Sequence, residues 1–212
     1  MEKTVDQKLI DLIKERRSIT FFDPSKEVDD ETLKEIIELA STAPSSYNLQ
    51  PWKIAIIKSK ENKKILKEIC YNQDKVEDAS VNILILANIK GGPENVDKIL
   101  ETNAELGYIK PEQKESIKTS IINSWSNPER AYKKALRDSS LFAMNLMICA
   151  RIFGLETHPI EGYNEQELKK FLNLPDHLIP VMIICLGYKN PKEKILPRGY
   201  RFQFHEITYT II

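Results

Sequence analysis

The chain has 212 residues, with 31 Lys and Arg against 31 Asp and Glu, a formal net charge of zero, and 42% apolar residues. That length suits a single domain with a sizeable core, and the charge balance argues against nucleic acid or an anionic membrane as main partner, since both reward a basic excess. The longest apolar stretches, residues 83–87 and 181–186, fall far short of the roughly 20 residues that a membrane-spanning helix requires.

The first residues, Met-Glu-Lys-Thr-Val-Asp-Gln-Lys, lack the apolar core of a secretory signal. Cys70, Cys149 and Cys185 form neither a CxxC pair nor an even framework, so reduced, packed thiols in a cytoplasm are expected. Seven glycines, at 91, 92, 107, 154, 162, 187 and 199, match neither G-x-G-x-x-G nor G-x-x-x-x-G-K-[ST]. A phosphate-bearing ligand would therefore be held by side chains rather than by a glycine-rich loop.

Val5, Leu9, Leu12 and Ile13 share one helical face, which predicts a helix over 4–15. Asp29, Asp30 and Glu31 open a second helix that stops near Thr42, ahead of Pro44. A short strand is predicted at 53–58, a helix at 60–70 and a strand covered on both faces at 81–89. Residues 91–127 predict two helices, near 93–106 and 111–124. Asn127-Pro128-Glu129 starts a long helix that Gly154 ends. Only Asn145 and Arg151 are polar between 141 and 153, which marks that helix as central to a core or a subunit interface. A helix from Asn164 to near Pro175, a buried strand at 181–187 and an extended arm at 201–212 complete an α+β chain.

Three segments are too polar for their surroundings. Arg16-Arg17-Ser18 offers two guanidinium forks and a hydroxyl, a set suited to phosphate, although a solvated basic helix end has the same composition. Pro44-Ser45-Ser46-Tyr47-Asn48-Leu49-Gln50-Pro51-Trp52 packs hydroxyls, amides and an aromatic ring between prolines, as a ligand loop or a plain turn would. His158-Pro159-Ile160-Glu161-Gly162 either connects two helices or brings backbone close to a ligand at Gly162. His158, His177 and His205 have no metal-ligand spacing, and no metal is expected.

Arg16-Arg17-Ser18, the run from Ala43 to Trp52 and Pro159-Ile160-Glu161-Gly162 together resemble the FMN-dependent nitroreductase family, in order and separation, over almost the whole chain. The resemblance implies one domain over 1–212 with a nitroreductase-like α+β fold, built on a small mixed central sheet. It further implies a homodimer that exchanges its C-terminal arms and holds two FMN molecules at the subunit interface.

By that resemblance Arg16, Arg17 and Ser18 would hold the FMN phosphate, with Arg201 or Arg198 from the C-terminal side. Pro44, Ser45, Ser46, Asn48 and Gln50 would contact the flavin of the partner subunit. Asn72 and Lys75 would meet the pyrimidine edge of the isoalloxazine held by their own chain's arginines, and Pro159, Ile160, Glu161 and Gly162 would lie over the other face of the ring. The implied reaction passes hydride from NADH or NADPH through flavin N5 to a nitroaromatic or quinone, by a ping-pong mechanism. No catalytic side chain is required, and Lys75 would tune the flavin.

Where many relatives carry a basic residue two positions after the serine, this chain has Thr20. After the C-terminal arginine it has Gln203-Phe204-His205-Glu206, where relatives often have Pro-Leu-Glu-Glu. Residues 91–127 are where a lid over the flavin would lie. Same-fold flavoenzymes for reductive dehalogenation or flavin breakdown share most of these motifs, and a non-catalytic flavin-storage or redox-sensing protein is a further alternative.

Overall fold

In the computed structural model, which describes residues 6–212, most helices begin where the sequence supplies a side-chain acceptor for free amides. Asp6 caps α1 (Gln7–Glu15), Asp29 caps α2 (Asp30–Ala40) and Ser59 caps α3 (Lys60–Ile69). Residues 4 and 5 of the predicted first helix lie outside the described residues. After the short α4 (Asp74–Asp78) come α5 (Gly91–Glu105) and α6 (Lys114–Trp125). The 25-residue α7 (Pro128–Ile152) is capped by Asn127, with Pro128 in its first turn, and is followed by Gly154 at φ +72°, the left-handed residue that stops a helix. Asn164 caps α8 (Glu165–Phe171), and α9 (Phe204–Ile207) is a single turn near the C-terminus.

Four strands, β1 (Trp52–Ile57), β2 (Val81–Asn88), β3 (Glu156–Ile160) and β4 (Leu178–Gly187), form one sheet in the order β1-β2-β4-β3. All three ladders are antiparallel, where a mixed sheet was expected. Among the described residues the parallel component is reduced to one bridge, Ser18 to Thr157, on the outer edge of β3. Side chains alternate between two cores, as the two-residue strand period requires. Ile83 and Ile85 face the layer of α2, α5, α6 and α7, whereas Leu84 and Leu86 face that of α3, α4 and α8.

The short α4 was not expected, and three further elements differ from the sequence reading. Residues 156–160 form a strand rather than a connection between helices, because β3 lies at the sheet edge, where Pro159 need not donate to a ladder. β4 starts at Leu178, three residues early, because a register shift opposite Ile85 and Leu86 accommodates Pro180. The arm at 201–212 contains α9, for the Glu206 carboxylate accepts from the Gln203 amide at 2.7 Å and from the Tyr200 hydroxyl at 2.6 Å. Residues 91–127 hold the two predicted helices, docked through Val96, Leu100, Ile121 and Trp125.

Candidate functional site

Arginines from both ends of the chain converge. The Arg17 guanidinium donates to the Leu196 carbonyl at 2.8 Å, and that of Arg198 reaches the Arg16 carbonyl at 3.5 Å. Burial, and then the charges of Arg198 and Arg201, press the Arg16 pKa below its ordinary value, against the pull of Glu156. Glu156 and Glu15 are already paired with Arg151, at 2.5 and 3.2 Å. Arg16, Arg151, Arg198 and Arg201 thus lie near one another while the Arg151 carboxylate partners are already committed, an arrangement suited to a further anion such as a phosphate. Ser18 lies beside this cluster, bridged to Thr157, and the Ile19 amide donates to the Thr157 carbonyl at 3.1 Å.

A second cluster adjoins the first along β3. His158 Nδ1 is hydrogen-bonded to the Ile19 carbonyl at 2.8 Å, which ties the segment after α1 to the strand. Lys75 lies near His158 and Cys185, the two residues paired across β3 and β4. Its ammonium donates to Gln73 Oε1 at 3.0 Å, and Gln73 Nε2 donates in turn to the Gly162 carbonyl at 2.9 Å. Asn72, Lys75 and the turn at 159–162 are therefore brought together, with Gln73 as their link. The Ile160 side chain is buried in the core, so it offers the site only backbone. The buried Cys70 thiol is pushed up to about 12 by burial, which leaves it protonated and unreactive.

The 44–50 loop stands apart from both. Its 3-10 turn, Ser46–Asn48, contains Tyr47 at φ 54° and Asn48 at φ 56°, and Gln50 follows at φ 47°. Tyr71 and Asn72 have φ 56° and 58°, so four of the six non-glycine residues with positive φ among the described residues fall in two of the predicted cofactor segments, and Tyr71 adjoins one of them. Such concentrations of unfavourable backbone mark functional sites. Asp138 on α7, only 1% exposed, accepts the Ser46 amide at 3.0 Å. Ser45 Oγ accepts the Gln50 amide at 2.9 Å, and the Gln50 side chain donates back to Asn48.

Asp138 and Arg151 mark how far apart these parts are. Thirteen residues of helix separate the anchor of the 44–50 loop from the ion pair behind Arg16, about 20 Å at ~1.5 Å per residue. The sheet agrees, since Trp52 pairs with Ala87 at one end and Glu156 with Gly187 at the other. Within one chain, the structure brings together Arg16, Arg17, Ser18, Arg198 and Arg201, and beside them Asn72, Lys75 and 159–162. It leaves Pro44, Ser45, Ser46, Asn48 and Gln50 at the opposite end.

Sequence reasoning missed Asp138, Gln73 and His158 as supports of these segments. An acid opening the apolar half of α7 was the available signal for Asp138. The other two act across 89 and 139 residues, which no local pattern reveals.

A profile of the nitroreductase family matches residues 13–188. YodC of Bacillus subtilis, a proposed NAD(P)H nitroreductase, is 33% identical over 84% of this chain and 88% of its own. The crystal structure of ydfN from Bacillus subtilis superposes with a TM-score of 0.91 at 28% identity, covering 97% of this chain and 99% of that one. A proposed nitroreductase of Exiguobacterium sibiricum 255-15, crystallised with FMN, gives 0.86 at 29% identity over 98% of each chain. Fold and family profile define an oxidoreductase. The chain belongs to the nitroreductase family.

Proposed function

We propose that this enzyme is an FMN-dependent homodimer that takes hydride from NADH or NADPH and delivers it to electron-poor acceptors, nitroaromatics or quinones. The observation that carries the reading is the convergence of Arg16, Arg17, Arg198 and Arg201 beside Lys75 and the 159–162 turn. The donor set fits the group: guanidiniums that repel one another suit a phosphate, and polar turns with open backbone suit a heterocycle. Bound FMN supplies the ring that accepts and releases hydride.

The remaining work falls to the chain. The arginines and Ser18 grip the phosphate, and Lys75, steered by Gln73, supplies a positive charge toward the negative charge gained on reduction. The open face beside Gly162 serves reductant and acceptor in turn, which gives ping-pong kinetics. Two subunits are needed because the 44–50 loop lies about 20 Å from the phosphate cluster of its own chain. Association would also cover the exposed Leu141, Met144 and Ile152 of α7, and Leu9 and Ile13 of α1. The C-terminal arm, exposed from Tyr200 onward apart from Thr208, would pair with the free edge of the partner's β1.

Anaerobic addition of NADH or NADPH to the yellow protein tests this directly. Bleaching of the flavin absorption, and its return on adding a nitroaromatic or a quinone, is the expected result. A preparation that holds no FMN, or whose flavin neither reductant bleaches, overturns it.

A further inference from the structure

Asp138 is a carboxylate buried in the middle of a helix whose neighbouring turns pack against the sheet. Arg137 donates to its Oδ1 from Nε and Nη2, both at 2.8 Å, and Oδ2 accepts the Ser46 amide at 3.0 Å. Two turns further along α7, Asn145 Nδ2 donates to the Ala40 carbonyl at 2.9 Å, at the C-terminus of α2. Residues seven apart lie on one helix face. One face of α7 therefore holds both ends of the connection between α2 and the 44–50 loop.

The turn held in this way contains Tyr47, Asn48 and Gln50, all in the left-handed region, a conformation that persists only when the surroundings impose it. Hydrogen bonds within the loop, Ser45 to Gln50 and Gln50 to Asn48, fix its internal shape. Ser46 to Asp138 fixes where that shape stands on α7.

We infer that Asp138 is a positioning residue for the flavin site of the partner subunit, acting in trans through the Ser46 amide. The inference rests on the shared, two-subunit site proposed above. Asp138 touches no part of its own chain's phosphate cluster, which lies thirteen residues further along α7. Its carboxylate instead sets the height and tilt at which Ser45, Ser46 and Asn48 are presented outward. Charge matters as well as shape, since two acceptor oxygens serve two different donors, Arg137 and Ser46. An asparagine has one acceptor oxygen for both.

Mixed dimers test this. Differently tagged chains, one Asp138→Ala and one Arg16→Ala, are co-expressed, stripped of flavin and titrated with FMN. Each variant homodimer is expected to bind FMN at least tenfold more weakly than wild type. The mixed dimer is expected to regain one site of wild-type affinity per dimer, where Arg16 of the first chain meets the intact loop of the second. It should also regain half the visible circular dichroism of bound flavin, a signature that a general loss of stability would not restore. Asp138→Asn, expected to weaken binding three- to tenfold, replaces the alanine variant in the same experiment if that variant does not fold.

A mixed dimer without a tight site overturns action in trans. A homodimeric Asp138→Ala protein that binds FMN within twofold of wild type overturns the positioning role. Wild-type protein that binds FMN as a monomer overturns the shared site itself, a result distinct from either.

Discussion

Lys75 and His158 sit side by side yet do different work. Lys75 donates to Gln73 and brings a positive charge to the turn that carries Gly162. Replacing it with methionine removes the charge at similar length, so the flavin should become harder to reduce. A loss of about 1.5–3 kcal/mol is expected, the usual scale for a hydrogen bond to a charged group. Anaerobic redox titration measures it, and an unchanged midpoint potential removes Lys75 from the role.

His158 has its pKa lowered by burial and by the Lys75 charge, with the Ile19 carbonyl pulling the other way. A lowered folded pKa means that the unfolded chain binds the proton more readily. Stability is then full above the unfolded value, about 6.5, and declines as pH falls through the folded one. Thermal melts between pH 7.5 and 5 should show that decline, and His158→Gln should flatten it. Equal slopes in both proteins would assign the acid sensitivity elsewhere.

Among the elements, Asn127 and Asn164 made their helices legible, because caps are local signals whose partners lie within three residues; Asp29 and Ser59 cap theirs in the same way. β3 was hidden for the opposite reason. Its ladder to β4 and its bridge to Ser18 are long-range, and Pro159 argues against a strand until its edge position is known. The site divided in the same way. Its motif residues could be read in sequence, whereas Asp138, Gln73 and His158 support it through contacts across 92, 89 and 139 residues.

The α5–α6 pair shows how tightly such distant contacts can be fitted. A Cβ at Gly92 would lie 2.4 Å from the ring of the buried Trp125, which lies packed in the main core. Gly92→Ala should therefore cost about 1–3 kcal/mol, the usual penalty for overpacking a core. Urea denaturation measures it. A variant of wild-type stability would mean that α6 shifts freely, as a mobile cover would.

On the scale of the whole molecule, the C-terminal segment packs against little of its own chain. Leu196, Tyr200, Phe202, Phe204, Ile207, Tyr209 and Ile211 are all exposed. Side chains of this kind in water imply a partner surface. Truncation after Arg198 should leave the far-UV spectrum of the folded domain but shift the protein toward monomer in sedimentation velocity. FMN affinity should fall as well, since Arg201 is lost. A truncated protein that remains dimeric would place the interface on α1 and α7 alone.

The meeting of Arg17 with the Leu196 carbonyl joins residues 179 positions apart, close to the longest separation the chain allows. Contacts of such separation form late in folding, after the loop between them has closed. During synthesis, which runs from the N-terminus, the core strands and α7 emerge first and can fold while Arg198 and Arg201 are still unmade. The cluster of Arg16, Arg17, Arg198 and Arg201 is complete only after the segment carrying Arg198 and Arg201 has joined that core. If the proposed function holds, tight binding of FMN is therefore expected to follow the folding of the core, and to gain its last arginine from Arg201.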